Sequence, residues 1–321
     1  MKQRIWVAFL SLMLAAPLAL GQAKDFPNKP VKVIVPYTAG SGSDTSARFF
    51  GEKLAAILGQ PFVVENKPGA SGVISAMAVK TAPADGYTIL LASNSPLSVN
   101  AVTIKDLPYD PLKDLKPLSG MTRGMNAYVV APNSKLITLA DLVAAAKTEK
   151  QALNAGSYSD GYQLALEWLA SVMGVKFNYI PYKGGAQVFT DVMGNQLDFG
   201  LVDMGGVVPL LKSGRLRALA VSGEVRHPEF PNVPTIKESG YPEYVNYAWT
   251  SFCVRSETPD DVTAKMVDAL QKVLATQEAR DFVKKMGAEL MPFAPEAMRK
   301  FQQDEIDRFR RIADKAGFRP H

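Results

Sequence analysis

Short β-rich runs alternate with helical patterns along almost the whole chain, and this alternation leaves few architectures open. Val31–Val35, Phe62–Glu65 and Thr88–Ala92 read as strands, with helical spacing at Asp44–Leu58 and Ser71–Thr81 between them. A second block repeats the pattern, with strands at Ala127–Ala131, Ala152–Ala155, Phe177–Pro181, Leu197–Val202 and Leu216–Val221 and helices at Leu139–Thr148, Gln163–Met173 and Ala186–Met193. Asp260–Ala275, Ala279–Lys285 and Pro295–Ala316 are helical in pattern. Strands separated by helices make βαβ units and a mainly parallel sheet. A chain of this length divides into more than one core. An α/β protein of two lobes is expected, with a ligand cleft between them, since open α/β sheets bind ligands beyond the carboxyl ends of their strands. The lobes are placed at 23–124 with 247–321 (lobe 1) and at 125–246 (lobe 2). Hinge loops are expected near Met121–Asn126 and Tyr244–Trp249.

Residues 1–22 read as a secretory signal peptide. Lys2 and Arg4 precede an apolar run, Ile5–Leu20, and small residues place cleavage near Gly21 or Ala23. The run is short for a membrane span, and Gln22 stands where a lipid anchor needs cysteine. An exported protein follows, expected to act as a monomer in the periplasm. Its one cysteine, Cys253, leaves no internal disulfide. The net charge is +5, of which Lys2 and Arg4 carry two, and the remaining basic residues are scattered. That pattern argues against nucleic acid as a partner.

Catalytic chemistry is poorly provided for. Of two histidines, His321 is the last residue, expected to be unordered, and His227 sits in a Pro-rich stretch that reads as a surface loop. Cys253 lies in an apolar strand-like segment, where a lone cysteine is an inert core residue. No Cys/His spacing suits a metal, and no cofactor motif is present. Anion binding is better supported. Val33–Asp44, VIVPYTAGSGSD, is a strand, a Gly/Ser loop and a helix start, which aims free backbone N–H groups at whatever lies above the loop. Asn154–Tyr162 (NAGSYSDGY) and Pro181–Gly185 (PYKGG) are two further turns of this kind. Asp44 reads as a first-turn acid stabilising its helix.

These segments stand in an order that resembles the substrate-binding receptors of tripartite tricarboxylate transporters, the Bug family. PNKPVKVIVPYTAGSGSD (27–44), GQPFVVENKPGASG (59–72), APADGYTIL (82–90), LPYDPLKD (107–114), IPYKGG (180–185), KSGRLRALAV (212–221) and VPTIKESG (233–240) all fit the family's pattern. The resemblance implies a periplasmic binding fold that closes on a small carboxylate and delivers it to membrane permease subunits, with no enzymatic activity. Carried over by position, ligand contacts fall on Tyr37, Thr38, Ala39, Gly40, Ser41, Gly42 and Ser43, with Ser93 and Asn94 nearby. In the second lobe they fall on Gly156, Ser157, Tyr158, Ser159, Asp160, Gly161 and Tyr162, and on Tyr182, Lys183, Gly184 and Gly185. Asp203 occupies a position at the far end of the pocket.

The chain departs from the family pattern at Tyr37 and Thr38 in the first loop, and at Tyr158, Asp160, Tyr162 and Gln163 in the second. Tyrosines on both sides suggest stacking on a ring, hence an aromatic dicarboxylate such as terephthalate beside the aliphatic di- and tricarboxylates. Asp203 is expected to turn away as a cap, the alternative being contact with an ammonium or hydroxyl of the ligand. Lys183 is expected to be solvated. Two rival functions remain: a sensor that docks on a signalling protein, and a hydrolase using Cys253 or a serine.

Overall fold

The computed structural model describes residues 25–148 and 152–321; the signal peptide expected at 1–22 lies outside them. Ten strands form one continuous, strongly bent sheet in the order β2-β1-β3-β9-β4-β7-β5-β6. They are β1 (Val31–Val35), β2 (Phe62–Asn66), β3 (Thr88–Ser93), β4 (Leu115–Val130), β5 (Leu153–Ser157), β6 (Phe177–Pro181), β7 (Phe199–Asp203), β8 (Arg217–Val221), β9 (Tyr247–Arg255) and β10 (Ala288–Leu290). β8 and β10 pair with β4 off the main path. The βαβ expectation holds at both ends, where β1 runs parallel to β2 and β3 and β5 runs parallel to β6 and β7.

The longer helices are α1 (Gly42–Leu58), α2 (Val73–Lys80), α3 (Leu139–Thr148), α4 (Asp160–Met173), α5 (Gly185–Met193), α6 (Met204–Lys212), α7 (Asp260–Leu274), α8 (Gln277–Lys285) and α9 (Pro295–Ala316). In α1 the buried residues Ala47, Phe50 and Leu54 recur at helical spacing against β3 and α7. Fully burying Phe50 and Leu54 stabilises the fold by about 2–3 kcal/mol each. The second lobe closes its own core with Leu142, Leu169, Val188 and Leu201. A small apolar cluster joins the two, with Leu164 of α4 packed against Val99, Phe309 and Ala313.

Two features differ from expectation. The region near Met121–Asn126 is no loop, because β4 runs unbroken for 16 residues from one lobe into the other. Leu115–Met125 pairs antiparallel with β9, and Asn126–Val130 pairs with β7 and β8. Tyr247–Trp249 likewise belongs to β9, so the crossings form a hydrogen-bonded ribbon (Gly124 opposite Ala248, Met125 opposite Tyr247). Helix α6 was not legible, since Gly205, Gly206 and Pro209 disguise its pattern. Asp203 starts it by accepting the Gly206 N–H at 2.7 Å.

Both histidines are also placed differently. His227 is buried because its Pro-rich loop folds against the Gly287 turn of the other lobe. Its Nδ1 accepts the Glu229 N–H at 3.1 Å, and its Nε2 has no partner. Burial lowers its pKa from 6.5. His321 is ordered by a two-bond bridge, its N–H donating to the Thr103 carbonyl and its carbonyl accepting from Lys105, both at 3.0 Å.

Candidate functional site

A cavity of about 70 Å³ lies between the lobes where β1, β3 and β5 end, at the start of α1 and of α6. That is room for roughly five to seven waters, or an acid of a few heavy atoms. From the first lobe, Tyr37, Ser41, Gly42 and Ser43 enter its wall, with Ser93 and Asn94 from the end of β3. From the second lobe come Tyr158, Tyr162 and Asp203.

The first-lobe wall is built around a buried carboxylate. Ser41 caps α1 by accepting the Asp44 N–H. The Asp44 side chain in turn accepts the Gly40 N–H (3.0 Å), a paired grip from Arg48 (3.0 and 3.1 Å) and the Asn66 amide (3.0 Å). Asn66 also donates to the Tyr37 carbonyl at 2.9 Å. Burial alone would raise the Asp44 pKa, but the Arg48 and Gly40 hydrogen bonds outweigh it and hold the carboxyl below its usual range. Asp44 is thus more than a first-turn acid: it fixes the loop Tyr37–Gly40. With the Asp44 N–H taken by the cap and the Ser41 N–H donating to the Thr38 carbonyl, the first-turn N–H groups left to α1 are those of Gly42 and Ser43, both of which line the cavity.

On the opposite wall Tyr158 donates to Asp203 Oδ2, and the Tyr158 and Tyr162 hydroxyls lie 3.2 Å apart. Burial, together with the Asp203 charge, holds both phenols well above their ordinary pKa and so protonated. The Tyr37 hydroxyl bonds Ser93 Oγ at 2.6 Å. The aromatic rings pack on each other edge to face: Tyr37 on Tyr158 with centroids 5.3 Å apart, Tyr158 on Tyr162 at 4.8 Å. They form one continuous wall.

The other candidate residues lie elsewhere. Thr38 packs against Gly184, while Ala39 and Gly40 are exposed. Gly156 and Ser157 are strand residues inside the second lobe, with the Ser157 hydroxyl on the Leu201 carbonyl. Ser159 caps α4, and Asp160 faces the first lobe, bonding Ser71 and accepting from Thr103 Oγ1 at 2.9 Å. The first N–H groups of α4 are occupied: Asp160 N donates to Ser71 Oγ (2.9 Å) and Gly161 N to Ser95 Oγ (3.2 Å). The Tyr182 hydroxyl donates to Asp191 at 2.5 Å, Lys183 is exposed, and Gly184 and Gly185 start α5. Tyr37, Tyr158, Ser159, Asp160, Tyr182 and Lys183 line a second, more open cavity of about 700 Å³ behind the tyrosines.

Sequence reading missed the floor. Thr122, Gly124 and Met125 of β4 face Ala248, Trp249 and Thr250 of β9 there, and Met286 and Ala288 close one side. Thr122 and Thr250 join hydroxyls at 2.8 Å. Strand pairing 128 residues apart sets this floor, and no local motif announces it.

At the seam between the lobes, several glycines sit where a side chain from the other lobe fills the space of a Cβ. Gly42 faces Asp203, whose Oδ1 is 2.5 Å from that position, and Gly161 faces Ser95 Oγ at 2.7 Å. Gly184 meets Thr38, and Gly287 meets the His227 ring.

No group of three or more His, Cys, Asp or Glu side chains suited to a metal occurs among the described residues, and none of their helices is long and apolar enough to cross a membrane. Cys253 is fully buried, and burial pushes its thiol up to about 12.

Residues 46–318 match the model of the tripartite tricarboxylate transporter family receptor. The chain is 34% identical to protein BugT of Bordetella pertussis over 310 residues, which is 95% of this chain and 93% of BugT. An R. palustris protein solved with adipate is 29% identical with a TM-score of 0.89, over 92% of this chain and all of that one. MatC from Rhodopseudomonas palustris, with bound malate, is 27% identical with a TM-score of 0.84, over 89% of this chain and 99% of MatC. The chain belongs to this receptor family. It has the family's two-lobed periplasmic binding fold, and the family is one of solute receptors rather than enzymes.

Proposed function

We propose that this family member captures a small organic carboxylate in the cavity between its lobes and presents it to the membrane permease of a tripartite tricarboxylate transporter. The observation that carries the reading is the start of α1. Its first residues, Gly42 and Ser43, line the cavity, and the first N–H groups of a helix, unpaired within it and backed by its dipole, suit an anion. These donors are held in place by the Asp44 clamp before any ligand arrives, so little ordering cost falls on binding. The adipate- and malate-bound relatives hold aliphatic acids. Because Tyr37, Tyr158 and Tyr162 pack on one another, the reading favours an aliphatic stem over a ring held between two faces. The contacts assigned are Tyr37, Ser41, Gly42, Ser43, Ser93, Asn94, Tyr158, Tyr162 and Asp203, with the β4–β9 floor below. The lobes are 23–124 with 247–321, and 125–246, hinged where β4 and β9 cross.

Native mass spectrometry of freshly purified protein, followed by thermal-shift titration with carboxylates, tests this. At a hundredfold excess over Kd a ligand stabilises by about 2.7 kcal/mol, a rise of roughly 5 °C. No stabilisation by any small carboxylate refutes the reading. Failure to recover permease subunits on the immobilised, ligand-loaded protein from the native membrane refutes the delivery role alone.

A further inference from the structure

We infer that Asp203 makes this receptor selective for a carboxylate that also bears an ammonium group, an α-amino acid with an uncharged aliphatic side chain; this rests on the carboxylate reading above. Among the described residues, Asp203 is the one charged side chain in the cavity wall, where no lysine, arginine or histidine stands. The remainder is hydroxyl, amide, aromatic and methionine surface. A diacid entering this space would bring two further negative charges beside a carboxylate that no basic side chain offsets. Like charges in a water-poor cavity repel strongly.

Asp203 does cap α6, as the sequence suggested, yet capping does not turn it away. One oxygen accepts from Gly206 at 2.7 Å and the other from Tyr158. A carboxylate has about four lone-pair directions, so it retains capacity for a further donor. The Tyr158 phenol stays protonated and so remains a donor to Asp203.

Spacing selects the class of amine. Asp203 Oδ1 lies 2.5 Å from where a Cβ of Gly42 would be, so the acceptor sits against the first residue of α1, the helix start proposed to take the carboxylate. An ammonium one carbon from its carboxylate spans such a distance. The side chain then lies over the apolar floor of Met125, Ala248 and Met286.

The test compares L-alanine, L-valine and L-leucine with their deamino acids and with succinate and adipate, by calorimetry on wild type and Asp203→Asn. Asparagine is as good a helix N-cap as aspartate, and unchanged melting of the ligand-free variant checks that the fold is kept. In wild type at least one amino acid binds about tenfold or more tighter than its deamino partner and than either diacid. In Asp203→Asn that preference falls to threefold or less. Diacids binding wild type as tightly as the amino acids, or a preference unchanged in Asp203→Asn, overturns the inference and leaves the carboxylate reading standing. Binding of none of these acids overturns both.

Discussion

Replacing Gly42 with alanine separates what this glycine does within its lobe from what it does between the lobes. Gly42 is the first residue of α1 and has no left-handed backbone, so within lobe 1 alanine is favoured over glycine by up to about 1 kcal/mol. Across the seam the new methyl falls 2.5 Å from Asp203 Oδ1 and 3.2 Å from its Cγ. The carboxylate must retreat by most of an ångström, breaking the bond to Gly206. Losing a cap costs about 1 kcal/mol, and disturbing the Tyr158 hydrogen bond to a charged group costs about 1.5–3 kcal/mol. Closure is therefore penalised by about 2.5–4 kcal/mol, which weakens ligand binding about 70- to 900-fold. Melting temperature stays level or rises while affinity falls. Spin labels on Ile57→Cys and Ile137→Cys, exposed sites in opposite lobes, report the inter-lobe distance; buried Cys253 stays unlabelled. The distance lengthens in Gly42→Ala and returns when Asp203→Ser is added, which keeps a capping oxygen on a shorter side chain. An unchanged distance and affinity, or a melting temperature lowered by several degrees, refutes the argument.

Other residues give independent checks. His227 is buried with its pKa below 6.5, so the unfolded chain takes up its proton first. The stability it contributes is full above pH 6.5 and is lost as pH falls from there through the lowered value. His227→Gln flattens that part of the melting-temperature profile, measured by scanning calorimetry against pH. Asp44→Ala strands the Gly40 N–H and the Asn66 amide. It lowers stability by about 1–2 kcal/mol, at the modest end because Arg48 is half exposed. Ligand affinity falls with it in the same titration, and Asp44→Asn loses less. Cys253 stays unreactive toward a thiol-specific disulfide reagent in the native protein and reacts fully in guanidinium, because burial raises its thiol to about 12.

The parts of the molecule written in local spacing were legible. Val31–Val35, Phe62–Glu65 and Phe177–Pro181 are β-rich, and the helices expected from Asp44 and Gln163 start two and three residues earlier, behind the capping side chains of Ser41 and Ser159. What depends on distant partners was not. The floor at Thr122 and Thr250 exists only because β4 and β9 pair. The Pro-rich segment at His227 reads as surface until Gly287 supplies a backbone for it to cover. Gly/Ser turns before helices look alike in sequence, yet the start of α4 spends its N–H groups on Ser71 and Ser95, while Gly42 and Ser43 at the start of α1 line the cavity. The sorting is done by which side chains the opposite lobe brings up.

The 16-residue strand β4 has a mechanical consequence. Both crossings between the lobes lie in it and in β9, and the two are hydrogen-bonded to each other there. Opening therefore flexes a paired ribbon, like a leaf spring, and requires no linker to uncoil. The register shifts at Pro117/Ser119 and Gly120/Thr122 bend and twist the strand on the first-lobe side of the crossing. Such a spring has a narrow range and a fixed plane of travel. A protease seeking a soft joint meets paired backbone, so the lobes move against each other without the crossing becoming a place where the chain is cut.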